Sequence, residues 1–389
     1  MPLRSHHILV LLCAALGWLG CNGSSSPSPD SPSTGSPGDA ILIGHYASMT
    51  GSEATYGVST DNGIKLAIKE RNATGGVNGT TIELKTYDEQ GKSQEVSAVV
   101  SRLIEEDHVV AVLGEVASSR SLIGAPICQR LGVPMITPSS TNPDVTMNGD
   151  MIFRVCFIDP FQGFVGAKFA HDNLKLTKAG VLFNRAQAYS SGLKDNFVSA
   201  FKEMGGQVVS EQAYGDGDND FSAQLTAIRE AQPEFIYVPG YYTDVVNIAK
   251  QAKQLGIKVP LIGGDGWDSE ELKNAGDALN GCYYSNHYSH EDTRPAVQEF
   301  VTKYKAAYGK VPDGLAALGY DAARILFDAM ERAESLDGDD LARAISETKD
   351  FQAVTGVISI DAQRNAQKDA VVLEVVDGKP KFVATVTPN

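Results

Sequence analysis

The stretch VLGEVASSRSLIGAPI, residues 112–127, has the form of a strand running through a short turn into a helix. A turn of this kind reads a diphosphate when glycines let its backbone wrap the phosphate oxygens, in the spacing GxGxxG or GxxxxGK[ST]; GEVASS, residues 114–119, has neither. The helix head keeps its chemistry all the same. Its first N–H groups lack intrahelical partners, and the aligned peptide dipoles place partial positive charge there. Ser118 and Ser119 stand at that donor-rich cup. A carboxylate is smaller and planar and needs only a few donors, so an anionic ligand group is one reading. The other is that Ser118 caps its own helix.

Working outward, the chain alternates. Upstream lie the strand ILIGHY (41–46), a polar turn, a helix with Ile64, Ala67 and Ile68 on one face, the strand TIELKTYD (81–88), and a helix from Ser93. In that second helix Val96, Val99, Val100, Leu103 and Ile104 make a one-sided apolar stripe. Downstream come VPMITPSS (133–140) and a strand near FRVCF (153–157). After Asp159-Pro160 the pattern restarts with the strands AGVLFN, QVVSEQAY, EFIYVPG and VPLIGGDGW, each followed or preceded by a helical stretch. Strands and helices alternating at this spacing imply parallel βαβ units, since a parallel neighbour is reached only by a crossover. Two α/β lobes built to one plan are expected. Helices over 295–308 and 314–333 and short strands at GVISI and AVVLEVV follow. These late segments are expected to complete the earlier lobes, with chain crossings near Asp159, His287 and Asp361. Lobe 1 is read as residues 40–159 plus 288–361 and lobe 2 as 160–287 plus 362–389. A ligand in such a fold belongs outside the carboxyl ends of the strands, here in the cleft between lobes.

The N-terminal segment has a different character. Arg4 precedes ILVLLCAALGWLG, an apolar run too short for a permanent membrane span and of the right length for a secretory leader. Residues 1–20 are read as a signal peptide. Gly20-Cys21 resembles the lipoprotein signal pattern, in which the cysteine is lipidated, with Trp18 standing where leucine is usual. Residues 21–39 are then a lipid-anchored tether, because their Ser/Pro/Gly composition cannot bury apolar surface. The formal charge of −15 argues against nucleic acid or an anionic membrane surface as a partner. Cys128, Cys156 and Cys282 lack the spacing of a zinc or redox site, and an exported setting permits one disulfide among them without choosing the pair.

The strand ends collect polar groups. TPSSTNP places Ser139, Ser140 and Thr141 at the tip of the strand next to the serine turn, and LIGGDGWDS puts Asp265 in a glycine-flanked turn of the second half. Tyr56, Tyr189 and Tyr241 fall at loop or helix starts after strands, where an aromatic face with a polar tip suits an enclosed small ligand. Arg120 is expected to be solvated. Taken together, SMTGSEATYG, VLGEVASSRS, PMITPSSTNPDVT, the pair Asp220-Phe221, VPGYYTD and GGDGW resemble the leucine/isoleucine/valine-type periplasmic substrate-binding proteins of ABC transporters over almost the whole mature chain. The resemblance implies an α/β type I periplasmic binding fold, two Rossmann-like lobes joined by a multi-strand hinge, closing on an amino acid. It implies that Ser118 and Thr141 hold the ligand α-carboxylate, that a carbonyl of Ser139 or Ser140 and the acid Asp265 hold its ammonium, and that Tyr56, Tyr189 and Tyr241 make aromatic contacts. Glutamate is common in that family where this chain has Asp265. The expected partners are an amino acid and ABC permease subunits, with an extracytoplasmic location, a membrane link through Cys21 alone, a monomeric state and no cofactor.

Other chemistries fit less well. No GxSxG elbow precedes a helix, His287 and His290 lack companion metal ligands, and DGDND (216–220) imitates a calcium loop only as far as Phe221. An exported amidase- or esterase-like enzyme using the same cleft, and an amino-acid sensing module for a receptor, remain as alternatives. Turnover of an amide or ester would mark the enzyme.

Overall fold

The computed structural model describes residues 40–388; the leader, the tether and Cys21 lie outside them. Five strands, β1 (Ile41–Ala47), β2 (Ile82–Asp88), β3 (Val112–Leu113), β4 (Met135–Thr137) and β5 (Ile152–Arg154), form a wholly parallel sheet in the order β2-β1-β3-β4-β5. Helices α1 (Ala54–Ala73), α2 (Ser93–Glu105) and α3 (Ser118–Leu131) supply the crossovers. The apolar stripe of α2 is buried as its spacing predicts: Val96, Val100 and Leu103 are fully enclosed against β1 and β3 residues.

The second sheet repeats the scheme. Its strands β6 (Lys178–Asn184), β7 (Gln207–Tyr214), β8 (Phe235–Val238), β9 (Leu261–Gly263) and β10 (Tyr283–Asn286) are parallel in the order β7-β6-β8-β9-β10, the same permutation as the first sheet. Helices α4 (Asp159–Lys168), α5 (Ala188–Glu203), α6 (Ser222–Glu230) and α7 (Tyr242–Gln254) accompany it. The chain then returns to the first layer with α8 (Pro295–Tyr308), α9 (Gly314–Arg332) and α10 (Gly338–Ser346), whose apolar residues join the first core.

Of the late strands, AVVLEVV joins the second sheet, whereas GVISI does not extend the first. AVVLEVV forms an antiparallel hairpin, β14 (Ala370–Val376) with β15 (Lys379–Val386), on the β10 edge of the second sheet. GVISI instead lies in a small separate sheet of β11 (Phe351–Ala353), β12 (Gly356–Ile360) and β13 (Ala366–Gln367). The cause is local. Asp321 of α9, fully buried, accepts the backbone N–H groups of Val354 and Thr355 at 2.8 Å each, and so fixes the turn that folds β11 onto β12.

Helices α1 and α9 cross with their backbones nearly in contact. A Cβ at Gly63 would lie 2.0 Å from the Ala316 carbonyl oxygen, and one at Gly319 would lie 2.5 Å from that of Thr60. Gly63→Ala is therefore expected to wedge the pair apart and lower stability by about 1–3 kcal/mol. A urea midpoint equal to that of the unmodified protein would show that the helices tolerate the extra methyl group.

Candidate functional site

In the doubly wound sheet the strand order reverses beside β1, and the loops leaving β1 and β3 part there to leave a crevice. Ser118 opens α3 at that place. It does not cap its own helix: the N-cap residue is Ala117, and Ser118 Oγ instead accepts the N–H of Asn142 at 3.3 Å, tying the β3 and β4 loops together. Ser119 Oγ accepts the N–H of Ala188 at 3.0 Å, from the first residue of α5, so the α3 head touches the second lobe.

The serines after β4 have different tasks. Ser140 turns inward: its hydroxyl donates to the carbonyl oxygen of Glu115 (2.9 Å) or of Val116 (3.0 Å) and meets Ser121 Oγ at 2.7 Å. Its carbonyl is taken by the buried Arg154 and by Cys156. Ser139 Oγ and Thr141 Oγ1 are buried without a hydrogen-bond partner among the described residues. Such orphaned groups are costly and call for a partner from outside the chain, water or ligand.

The three tyrosines of the sequence reading meet. Tyr189 and Tyr241 stack with ring centroids 5.2 Å apart and planes within 7°, and Tyr56 stands edge-on to Tyr241 at 5.6 Å. Tyr56 belongs to α1 of the first lobe, yet its hydroxyl donates to the carbonyl oxygen of Gly266 in the second. Tyr242 reaches the other way, donating to the Ser52 carbonyl oxygen at 2.7 Å. With Val116, Ala117 and Leu315 they make one apolar cluster continuous with the second core, so the lobes are closed on each other. Tyr241 Oη is also without a partner among the described residues.

Asp265 follows β9, and its side chain is turned into the protein, the residue being 5% exposed. Three donors hold it. Oδ1 accepts from Gln162 Nε2 at 2.8 Å and from Tyr189 Oη at 2.9 Å, and Oδ2 lies 3.0 Å from His287 Nε2. The His287 ring stacks on Phe157 at 3.7 Å. Burial pushes its imidazole down to about 4, partly offset by Asp265, so near pH 7 it is neutral and Nε2–H donates to the carboxylate. Gln162 and His287 were not singled out as partners of Asp265, because they lie 103 and 22 residues from it and are joined to it only by the fold.

Arg120 overturns the expectation of a solvated side chain. Its guanidinium is buried among three glutamates: Nη2 meets Glu53 at 2.6 Å, and Nε lies 3.0 Å from Glu115 and 3.2 Å from Glu89. Burial, against the pull of Arg120, raises Glu53 and pushes Glu115 up to about 7, with neighbouring Glu89 adding to the latter. The guanidinium thus anchors the turn before α3 through Nε and Nη2. Among the described residues Cys128, Cys156 and Cys282 are free and buried, so no disulfide joins any two of them; burial pushes the thiols of Cys128 and Cys156 up to about 12 and Cys282 to about 11.

The topology has clear counterparts. A family model described as periplasmic binding protein matches residues 40–380. A leucine-, isoleucine-, valine-, threonine- and alanine-binding protein of Pseudomonas aeruginosa is 30% identical over 326 residues, covering 83% of this chain and 86% of that protein. Among solved structures, a leucine-binding protein from Thermotoga maritima MSB8 has a TM-score of 0.86 and 40% identity, covering 90% of this chain and 99% of its own. A branched-chain amino acid transporter substrate-binding protein from Streptococcus pneumoniae, solved with isoleucine, gives 0.85 and 31%, covering 90% and 100%. Two sheets whose five parallel strands follow one permutation, together with a match along nearly the whole described length, make this chain a member of the periplasmic binding protein family with the type I fold.

Proposed function

We propose that this protein captures an α-amino acid in the inter-lobe cleft and hands it to the permease of an ABC importer. The observation that carries the reading is the buried acid Asp265 across the cleft from the α3 head and the unsatisfied hydroxyls of Ser139 and Thr141. A zwitterion enclosed there needs both charges met, since a buried unpaired charge costs several kcal/mol even after relaxation. The N–H groups at the start of α3, with Ser118 and Thr141, face the α-carboxylate. Asp265 and the carbonyl of Ser139 face the ammonium; Ser140 serves only as a brace, its hydroxyl and carbonyl being engaged within the protein. Tyr56, Tyr189 and Tyr241 enclose the remainder. An aromatic or aliphatic monoacid would instead set an uncompensated anion against the Asp265 carboxylate.

The lobes are residues 40–159 with 288–361 and 160–287 with 362–389, moving about the crossings between them, and the protein acts as a monomer. It is exported and held to a membrane through lipidated Cys21. It binds without turnover; the buried, poorly acidic thiols oppose a cysteine nucleophile. The relatives' ligands point first to leucine, isoleucine and valine, then to threonine and alanine. A thermal-shift screen of the twenty common L-amino acids tests this. At a hundredfold excess over Kd a true ligand stabilises the protein by about 2.7 kcal/mol, an unmistakable rise in melting temperature. A rise with benzoate and none with any amino acid would sink the proposal.

A further inference from the structure

Two buried acids, Asp265 and Asp159, differ in how the fold treats them. Asp265 has its carboxylate bound by Gln162, Tyr189 and His287, so most of its accepting capacity is spent inside the protein. Asp159, the first residue of α4, is fully buried as well, yet neither of its carboxylate oxygens has a hydrogen-bond partner among the described residues. Its backbone N–H donates to the Thr141 carbonyl oxygen at 2.9 Å, which sets it beside the residue expected to meet the ligand. Near it stands Gly192, where a Cβ would lie 3.0 Å from Asn142 Nδ2 and 3.2 Å from Asp159 Oδ2; Asn142 Nδ2 itself donates to the Ala188 carbonyl oxygen at 3.1 Å.

The charged and titratable groups around Asp159 do not satisfy it. Burial pushes its carboxyl up to about 7; the Thr141 hydroxyl favours the charged form without making a sound hydrogen bond, Asp265 opposes it, and Arg154 favours it weakly. Arg154 directs its Nη atoms to the carbonyl oxygens of Ser140, Asn142 and Pro143 and to Thr146. Cys156, Tyr189 and Tyr237 sense the Asp159 charge but give it no hydrogen bond, and Tyr237 Oη is itself unpartnered. A carboxylate so placed calls for a small cation bearing several N–H donors.

We propose that Asp159 is a direct ligand of the substrate's primary ammonium, and that Asp265, fixed by its three internal donors, is the second acid of a two-carboxylate ammonium site. This rests on the amino-acid reading above and narrows it: the ligand must carry a free primary α-ammonium, with Asp159, the Ser139 carbonyl and Asp265 as the three acceptors for its three N–H bonds.

Calorimetric titration of the unmodified protein and of Asp159→Asn with L-leucine and with 4-methylpentanoate, its analogue lacking the ammonium, tests the assignment. Asp159→Asn is expected to weaken L-leucine by about 30-fold or more, the effect of removing one partner of a buried charge pair, and to leave 4-methylpentanoate unchanged or tighter. L-leucine affinity within about threefold of the unmodified value would overturn it. Failure of every L-amino acid to bind the unmodified protein would overturn the amino-acid reading and this assignment together, and is recognisable because no variant is involved. A crystal structure of the unmodified protein with L-leucine gives the same answer should the variant not fold. An ammonium nitrogen within about 3.2 Å of an Asp159 oxygen supports the site, and one bonded to Asp265 but beyond about 4 Å from Asp159 contradicts it.

Discussion

Asp265→Asn is expected to reduce affinity for the amino-acid ligand by about 30-fold or more, and to lower the melting temperature of the ligand-free protein as well. The size follows from what the asparagine would face. Gln162 Nε2, Tyr189 Oη and His287 Nε2 all donate to Asp265 within 3.0 Å. An amide can offer only one oxygen to these donors, and its own NH2 then opposes at least one of them. The negative charge that answers the ammonium is lost in the same step, and truncating one partner of a buried charge pair costs about 2–5 kcal/mol. Calorimetry with L-leucine reads the loss. The 4-methylpentanoate control separates charge from shape, because an analogue without the ammonium gains from removal of the acid. Unchanged L-leucine affinity would mean that Asp265 serves only to hold Tyr189 and His287.

The second large effect is on stability. Arg120→Met is expected to lower the unfolding free energy by about 3–5 kcal/mol near pH 8, because it strips the cation from a buried site and leaves Glu53, Glu89 and Glu115 facing one another. A solvated arginine would change stability by no more than about 0.5 kcal/mol. The pH dependence gives a second signature. Glu115 has its folded pKa raised to about 7 from an ordinary value of 4.5. Between those values the folded form holds a proton that the unfolded form has released, so the contribution of this group is fully present below about pH 4.5 and is lost as pH rises through 7. Without Arg120 the group is pushed higher still. The deficit of the variant should therefore shrink toward pH 5 and grow toward pH 8 in urea titrations across that range. A deficit independent of pH would place its origin in packing.

Much of the fold could be read from residue pattern. The α2 stripe, the restart after Asp159 and the run of short apolar strands gave two parallel α/β units because helices and strands here obey plain periodicities, and both sheets carry the expected elements. β12 was legible as GVISI, but its partners β11 and β13 escaped because two or three residues carry no period, and the turn that folds β11 onto β12 is fixed by Asp321, some thirty residues earlier. Within the candidate site, Ser118, Ser139, Thr141 and the three tyrosines were visible as candidates because strand ends in a parallel sheet converge. Their pairings with each other were not. Arg120 looked solvated because its three glutamates come from three separate loops, at positions 53, 89 and 115, and only the closed fold gathers them. Asp159 looked like punctuation, an Asp-Pro at a helix start, since nothing in a linear pattern tells an acid with donors from one without.

On the proposed reading, the cleft selects zwitterions through its two ends. The donor end at α3 would accept any carboxylate, and the apolar ring wall would accept many side chains. Selection falls to the acidic end, where a ligand lacking a positive group would bury an anion against carboxylates.

Titration of the unmodified protein with L-leucine, L-isoleucine and L-valine beside 4-methylpentanoate tests that claim most directly. Saturable one-to-one binding of at least one amino acid, with the deaminated compound about 100-fold weaker or more, is the predicted result. Equal or tighter binding of the deaminated compound would contradict it.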